Sequence, residues 1–290
     1  HLSIRRQRQM CIRDRVISGN TASLSGGDRL YVYVTSDTST LTVSGTTLSE
    51  TNGIYLYSWG NLDIQTNVDA GATFYLYADY DNDGTGNFTH TSGTISTTGA
   101  YNVFIRGVNV SLGTISAQSG SKDIIVTATG NITSNSASFT AANVVLKTTG
   151  GSIGTSSVPI PIPANCYVDA KAPQGAVHIS RTSGNMTVRN ASEASNVQDF
   201  GLAITTATYG GQSQPVGDHI VHKTTSGLTL TTPGNFTINS GVTFNAGNGS
   251  LNVAGNWTNS GIFTAGTSTV TFNGSSAQTI TGSNTWYNLT

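Results

Sequence analysis

The chain has 290 residues, 34 of them glycine, with 36% hydrophobic and only 9% charged side chains, against about 25% charged in ordinary soluble domains. So few charges exclude the usual charge-rich disordered chain. The polar content is instead Ser, Thr and Asn, short neutral side chains that stack between neighbouring strands about 4.8 Å apart without the repulsion that like charges meet there.

The first fifteen residues, HLSIRRQRQMCIRDR, differ from the rest and hold five of the thirteen Lys and Arg: Arg5, Arg6, Arg8, Arg13 and Arg15. A basic arm for nucleic acid or an anionic membrane is one reading. The favoured one is that residues 1–15 resemble translated sequencing-adapter read-through, are disordered, and stand outside the fold. The remainder then carries eight Lys or Arg against thirteen Asp or Glu, a formal balance of −5. That acidity speaks against a nucleic-acid partner, which requires a basic stripe.

From Val16 onward short alternating runs predict strands: Leu30–Val34, Thr73–Tyr77, Val103–Ile105, Ile124–Val126 and Val144–Leu146. Each is rich in β-branched or aromatic residues and bounded by turn formers, and no stretch has a capped helical period. A Gly or Gly-Asn step before alternating apolar residues recurs at 60, 107, 130, 151, 184, 234 and 255. The cleanest spacings, of 21 and 23 residues, predict an all-β, right-handed parallel β-helix (β-solenoid) of about 20–25 residues per coil. The expected organisation is a single array over 16–290 with an irregular loop region at about 158–218. Pro159, Pro161 and Pro163 interrupt that region in a pattern hostile to a central strand. A lesser alternative is a boundary near 211–226.

Cys11 lies in the suspect head, so Cys166 has no expected disulfide partner and reads as a small buried hydrophobe. No apolar run approaches the 18 or so residues of a membrane span. No secretory leader is recognisable, which carries no weight if the gene start is missing.

Gly151-Ser152-Ile153-Gly154-Thr155-Ser156-Ser157, then Val168-Asp169-Ala170 and Gly184-Asn185-Met186-Thr187-Val188, resemble filamentous-haemagglutinin-like, autotransporter-type bacterial adhesin repeats. So does Ala78–Gly86, and the tail from Gly255 to Gly274 is similar to repeats of large bacterial surface proteins. The resemblance covers most of residues 54–290 and is compositional. It implies a parallel β-helix, export to the bacterial cell surface, and an adhesive or structural role without catalysis. The implied partners are host or matrix glycans and proteins or other cells, met by a monomeric rod. The alternatives are a carbohydrate-active β-helix enzyme and a phage or cell-wall fibre.

The sharpest local motif is Asp79-x-Asp81-x-Asp83-Gly84-x-Gly86. Alternating carboxylates and a glycine turn can wrap a hard cation, so Asp79, Asp81, Asp83 and Asn87 are candidate calcium ligands, and calcium is the one cofactor expected. An EF-type loop needs a bidentate Glu where this chain has His90. The competing reading is a solvated turn. His219 and His222 form a weak metal pair without a third ligand. Sugar hydrolysis needs two facing carboxylates, whereas Asp63, Asp69, Asp123, Asp169, Glu193 and Asp199 are scattered singly. No nucleophile elbow or phosphate loop is present. Tyr31, Tyr33, Tyr55, Tyr57, Trp59, Tyr75 and Tyr77 alternate at spacing two, either as a sugar-stacking face or as packing of the early coils.

Overall fold

The computed structural model describes residues 15–17, 22–24, 29–72, 74–99, 101–117, 122–163, 167–172, 174–181, 186–188, 219–220, 228–238, 240 and 243–290. Among these there is no helix, and the parallel strands stack as a β-solenoid of about 9 turns. The chain divides into two compact units, 1–129 with 135–141, and 130–134 with 142–290. The sequence candidates Cys11, Cys166, His222, Glu193, Asp199 and residues 189–218 lie outside the described residues.

In the first unit three successive turns contribute three short strands each. Leu30–Val34, Thr40–Val43 and Leu48–Glu50 make one turn. Ile54–Ser58, Asn61–Ile64 and Val68–Ala70 make the next, and Phe74–Tyr77, Phe88–His90 and Thr94–Thr97 the third. Every strand pairs in parallel with its equivalent one turn on. Alternate side chains point inward, so the sequence pattern becomes columns of buried residues: Leu41–Leu62–Phe88–Val110, Leu48–Val68–Ile95–Ile115 and Leu56–Leu76–Ile105–Val126. The array reaches back to Arg15, which pairs with Leu41 although it closes the basic head.

In Val103–Gly107 of this unit, and in Asn143–Thr148 of the other, every side chain is buried. Their sequences are correspondingly continuous apolar runs (Val-Phe-Ile, Val-Val-Leu), the composition of strands covered on both faces.

The second unit repeats the plan. Leu230–Leu251–Val270 and Phe236–Trp257 are buried columns. An aromatic cluster forms around Trp257, whose ring stacks on Phe236 at 4.6 Å and meets Phe263 and Trp286 edge-on. Within the proline-rich stretch, Ile160–Ile162 is a strand that includes Pro161 and pairs with Val177–Arg181. It terminates its sheet, so only one flank needs hydrogen bonds, the position where proline is tolerated.

The Gly-Asn repeat has a structural cause. At the corners, where the strand ladder lapses, an asparagine carbonyl oxygen accepts the backbone N–H one turn later. Asn61 accepts from Asn87 at 2.9 Å, Asn87 from Asn109 at 3.1 Å, Asn131 from Ser152 at 2.8 Å, Asn235 from Asn256 at 2.7 Å and Asn256 from Thr279 at 2.8 Å. These steps span 26, 22, 21, 21 and 23 residues. The sequence expectation of 20–25 per coil fits four of the five, and the 26-residue step contains the acidic loop.

Two tests follow from this packing. Leu62 is enclosed by Leu41 and Phe88 on adjacent turns, so Leu62→Ala leaves a cavity that neither rung can fill. The expected loss is about 2–5 kcal/mol, read as a lower urea midpoint at unchanged slope. The second test concerns histidine. His90 is fully buried with an unpartnered Nδ1, and half-buried His178 is similar. Burial holds both below the ordinary value of 6.5. The unfolded chain therefore binds more protons once the pH drops below 6.5, and stability falls with falling pH through that window. Urea titrations between neutral pH and about pH 5 should show this slope, and His90→Leu should flatten it.

Candidate functional site

The acidic motif occupies the corner between strands Phe74–Tyr77 and Phe88–His90. Its first residues still follow the turn below, with Tyr80 N–H donating to the Ser58 carbonyl at 2.9 Å. The chain then bulges outward. Asp79 and Asn82 adopt left-handed backbone conformations with φ of 52° and 65°, and Gly84 and Gly86 follow at 91° and 101°, values that favour Asn, Asp and Gly. At Gly86 a side chain would also strike the carbonyls of Trp59 and Gly60. The excursion can therefore rejoin the stack only through a glycine.

Within the loop the carboxylates have different work. Asp79 is buried, and its Oδ1 accepts the Gly84 N–H at 3.0 Å. Asp83 accepts both the N–H and the hydroxyl of Thr85 at 2.8 Å. Arg106, itself buried, donates to the side-chain oxygen of Asn82. Burial raises the pKa of Asp79 despite the Gly84 bond and the Arg106 charge. Asp81 is raised by desolvation, with neighbouring Asp83 and Asp37 adding to it, while the Thr85 bonds lower Asp83.

The structure gathers Asp81 and Asp83 with Asp37, all exposed, each offering an oxygen within 4.8 Å of the others. Asp79 lies buried beside them as an internal tie, and Asn87 uses its Oδ1 to accept both the backbone and side-chain N–H groups of Asn109. His90, at the EF-type twelfth position, points into the core and bonds the Gly93 carbonyl at 3.2 Å. The loop is thus a corner excursion stapled to its own scaffold. Asp37 stands in the corner after Leu30–Val34 and is far from the motif in sequence. Its setting in Ser36-Asp37-Thr38 carries no signal beyond that of a turn.

Three carboxylates this close repel one another. Oxygens bound to one calcium at about 2.3–2.6 Å stand up to roughly 5 Å apart across the ion, so the spacing of Asp37, Asp81 and Asp83 suits a shared hard cation.

Beside this corner the predicted tyrosines form two columns on the outer face of the sheet. Tyr31, Tyr55, Tyr75 and Phe104 lie at ring separations of 4.4, 5.2 and 4.8 Å with interplanar angles of 16°, 14° and 5°. Tyr33, Tyr57 and Tyr77 follow at 5.0 and 5.6 Å. Tyr80, from the acidic loop, lies over the second column at 4.4 Å from Tyr57 and 6.1 Å from Tyr33. Trp59 sits in the corner after Ile54–Ser58, outside both columns. The rings of the first column spend their faces on one another, each contact contributing about 0.5–1.5 kcal/mol beyond burial, and little flat surface is left there for a sugar. Burial pushes the Tyr57 and Tyr77 phenols far up.

His219, in the short strand His219–Ile220, pairs with Thr187. Asp69 accepts a hydrogen bond from Ser96 on the next turn, and Asp63 one from Gln65 at 2.6 Å.

No protein-family model matches the chain, and neither a curated protein nor a solved structure matches it.

Millimolar calcium should raise the thermal midpoint of the chain, and Asp37→Asn or Asp81→Asn should abolish that rise while stabilising the calcium-free protein by relieving repulsion. A midpoint indifferent to calcium in the unaltered chain removes the cation reading.

Proposed function

We propose that this chain is a segment of a bacterial cell-surface adhesin or structural stalk, extracellular and non-catalytic, that attaches by many weak equivalent contacts to host or matrix glycans and proteins or to other cells. The observation that carries the reading is the repetition of short polar side chains, mostly hydroxyls with Asp63 and Asp69 among them, from turn to turn. Thr42, Asp63, Thr89 and Ser111 stand in register, as do Ser49, Asp69, Ser96 and Ser116. In the second unit Thr229, Ser250, Thr269 and Asn288 form a third such column. A group that binds one rung weakly meets its equivalent on the next, and linked weak contacts multiply to an avidity about 10²–10⁴ above the single affinity. Low charge suits such a surface, since neutral hydroxyls and amides exchange hydrogen bonds with sugars and peptides at little desolvation cost. Among the described residues no helix is long and apolar enough to cross a membrane. Calcium, in this reading, stiffens the acidic corner.

The test compares beads densely coated with the chain and the chain free in solution, on surfaces bearing cell glycans or matrix protein. Coated beads should adhere under wash conditions that remove the free chain, and no sugar should be released from the surface. Release of sugar that disappears on neutralising Asp37, Asp81 and Asp83 would replace this reading with the carbohydrate-active one. A trimer by light scattering would replace it with a fibre.

A further inference from the structure

We propose that the tyrosine columns are a site of oxidative cross-linking, in which a hydroperoxide, acting through a one-electron peroxidase, joins Tyr31 to Tyr55 and Tyr57 to Tyr80 as dityrosines and so welds successive turns covalently. This is independent of what the surface binds.

Seven of the chain's 11 tyrosines, Tyr31, Tyr33, Tyr55, Tyr57, Tyr75, Tyr77 and Tyr80, fall in this one patch. The ring pairs at the two shortest separations, both 4.4 Å, are Tyr31–Tyr55 and Tyr57–Tyr80. Each joins a well-exposed ring to a more buried one: Tyr31 is 38% and Tyr80 40% exposed, whereas Tyr55 and Tyr57 are intermediate. An oxidant thus reaches one ring of each pair directly; that radical takes an electron and a proton from the phenol beside it, and a second one-electron oxidation of the exposed ring leaves a radical on each partner. The partners are held by the backbone, Tyr31 opposite Tyr55 in the parallel register and Tyr80 through its N–H to Ser58, the residue after Tyr57. Directly bonded aryl rings hold their centroids about as far apart as these rings already stand. Bond formation then asks for rotation about the soft terminal torsion of tyrosine and little movement of the strands. Column one ends on Phe104, which has no phenolic hydrogen to lose, so oxidation stays among the tyrosines.

The chemistry balances. Each phenol gives up one electron and its hydroxyl proton, leaving a radical shared between oxygen and the ortho carbons. Two such radicals pair to form one carbon–carbon bond between ortho carbons. The hydrogens on those carbons move to the oxygens, restoring both phenols. The two electrons and two protons released reduce one hydrogen peroxide to two waters.

The unaltered full-length chain, dilute, is treated with a haem peroxidase and hydrogen peroxide, digested, and mapped by mass spectrometry. The expected products are monomeric chains whose Tyr31 and Tyr55 peptides, and Tyr57 and Tyr80 peptides, are joined, each link two hydrogens lighter than its parts. The treated protein should also melt at a higher temperature, since each link constrains the unfolded chain. The double variant Y31F/Y80F keeps the ring stacking, as Phe104 already does, and should lose most of the dityrosine fluorescence. If exposure alone governed the reaction, links would run between chains through Tyr101 and Tyr287, which are 47% and 62% exposed and lie outside both columns. That result, or an undiminished yield in Y31F/Y80F, would overturn the proposal. Should the double variant misfold, the peptide map of the unaltered chain decides by itself.

Discussion

The structure depends on one constraint, that each turn of chain must satisfy its backbone hydrogen bonds on the turns before and after it. A single turn has too few residues to bury a core or close a ladder. Parallel register solves both at once, placing every inward side chain over its equivalent and every strand N–H opposite a carbonyl. The corners are where this fails, because the chain there bends out of the ladder. The asparagine columns repair them by lending a side-chain oxygen to the N–H of the next turn. These bonds lie at the exposed surface, so each contributes only about 0.5–1.5 kcal/mol, but they recur from turn to turn, which gives the recurring Gly-Asn step its physical reason.

The same constraint shapes the two outer surfaces that differ from the general Ser, Thr and Asn background. Register places Tyr31, Tyr55 and Tyr75 above one another, so three separate sequence runs become one aromatic column. A corner may lengthen as long as its ends return to the ladder. Between Tyr77 and Phe88 the chain does this through residues with positive φ, a buried carboxylate capping Gly84 and an arginine holding Asn82. The acids of the excursion are thereby carried out to Asp37.

The candidate site was only partly legible. Asp81 and Asp83 could be named from spacing, since alternate acids before glycine signal a loop that can present carboxylates together. Asp79 carried the same signal but is buried, because its left-handed backbone turns it under the loop to cap Gly84. Asn87 was drawn into the ladder by its position after Gly86, the general role of asparagine in this chain. Asp37 could not be found, since its proximity depends on how far the loop of a later turn reaches. The aromatic alternation suggested either a sugar-binding face or packing, and ring separations decide for mutual stacking in the first column.

For the fold as a whole, composition and period determined the class. Neutral short polar residues, glycine punctuation, alternating apolar runs and a spacing near 21 residues are compatible with stacked parallel strands and little else. Those signals are local, or repeat at a fixed distance, so a linear reading captures them. The tertiary structure alone decided which rungs coincide, how the chain divides into two units, which of the acids turn inward and which meet, and which tyrosines touch. These outcomes depend on the length of each corner added to the register of each strand. A one-residue change in either sends a side chain to the opposite face, and the sequence does not mark where a corner ends.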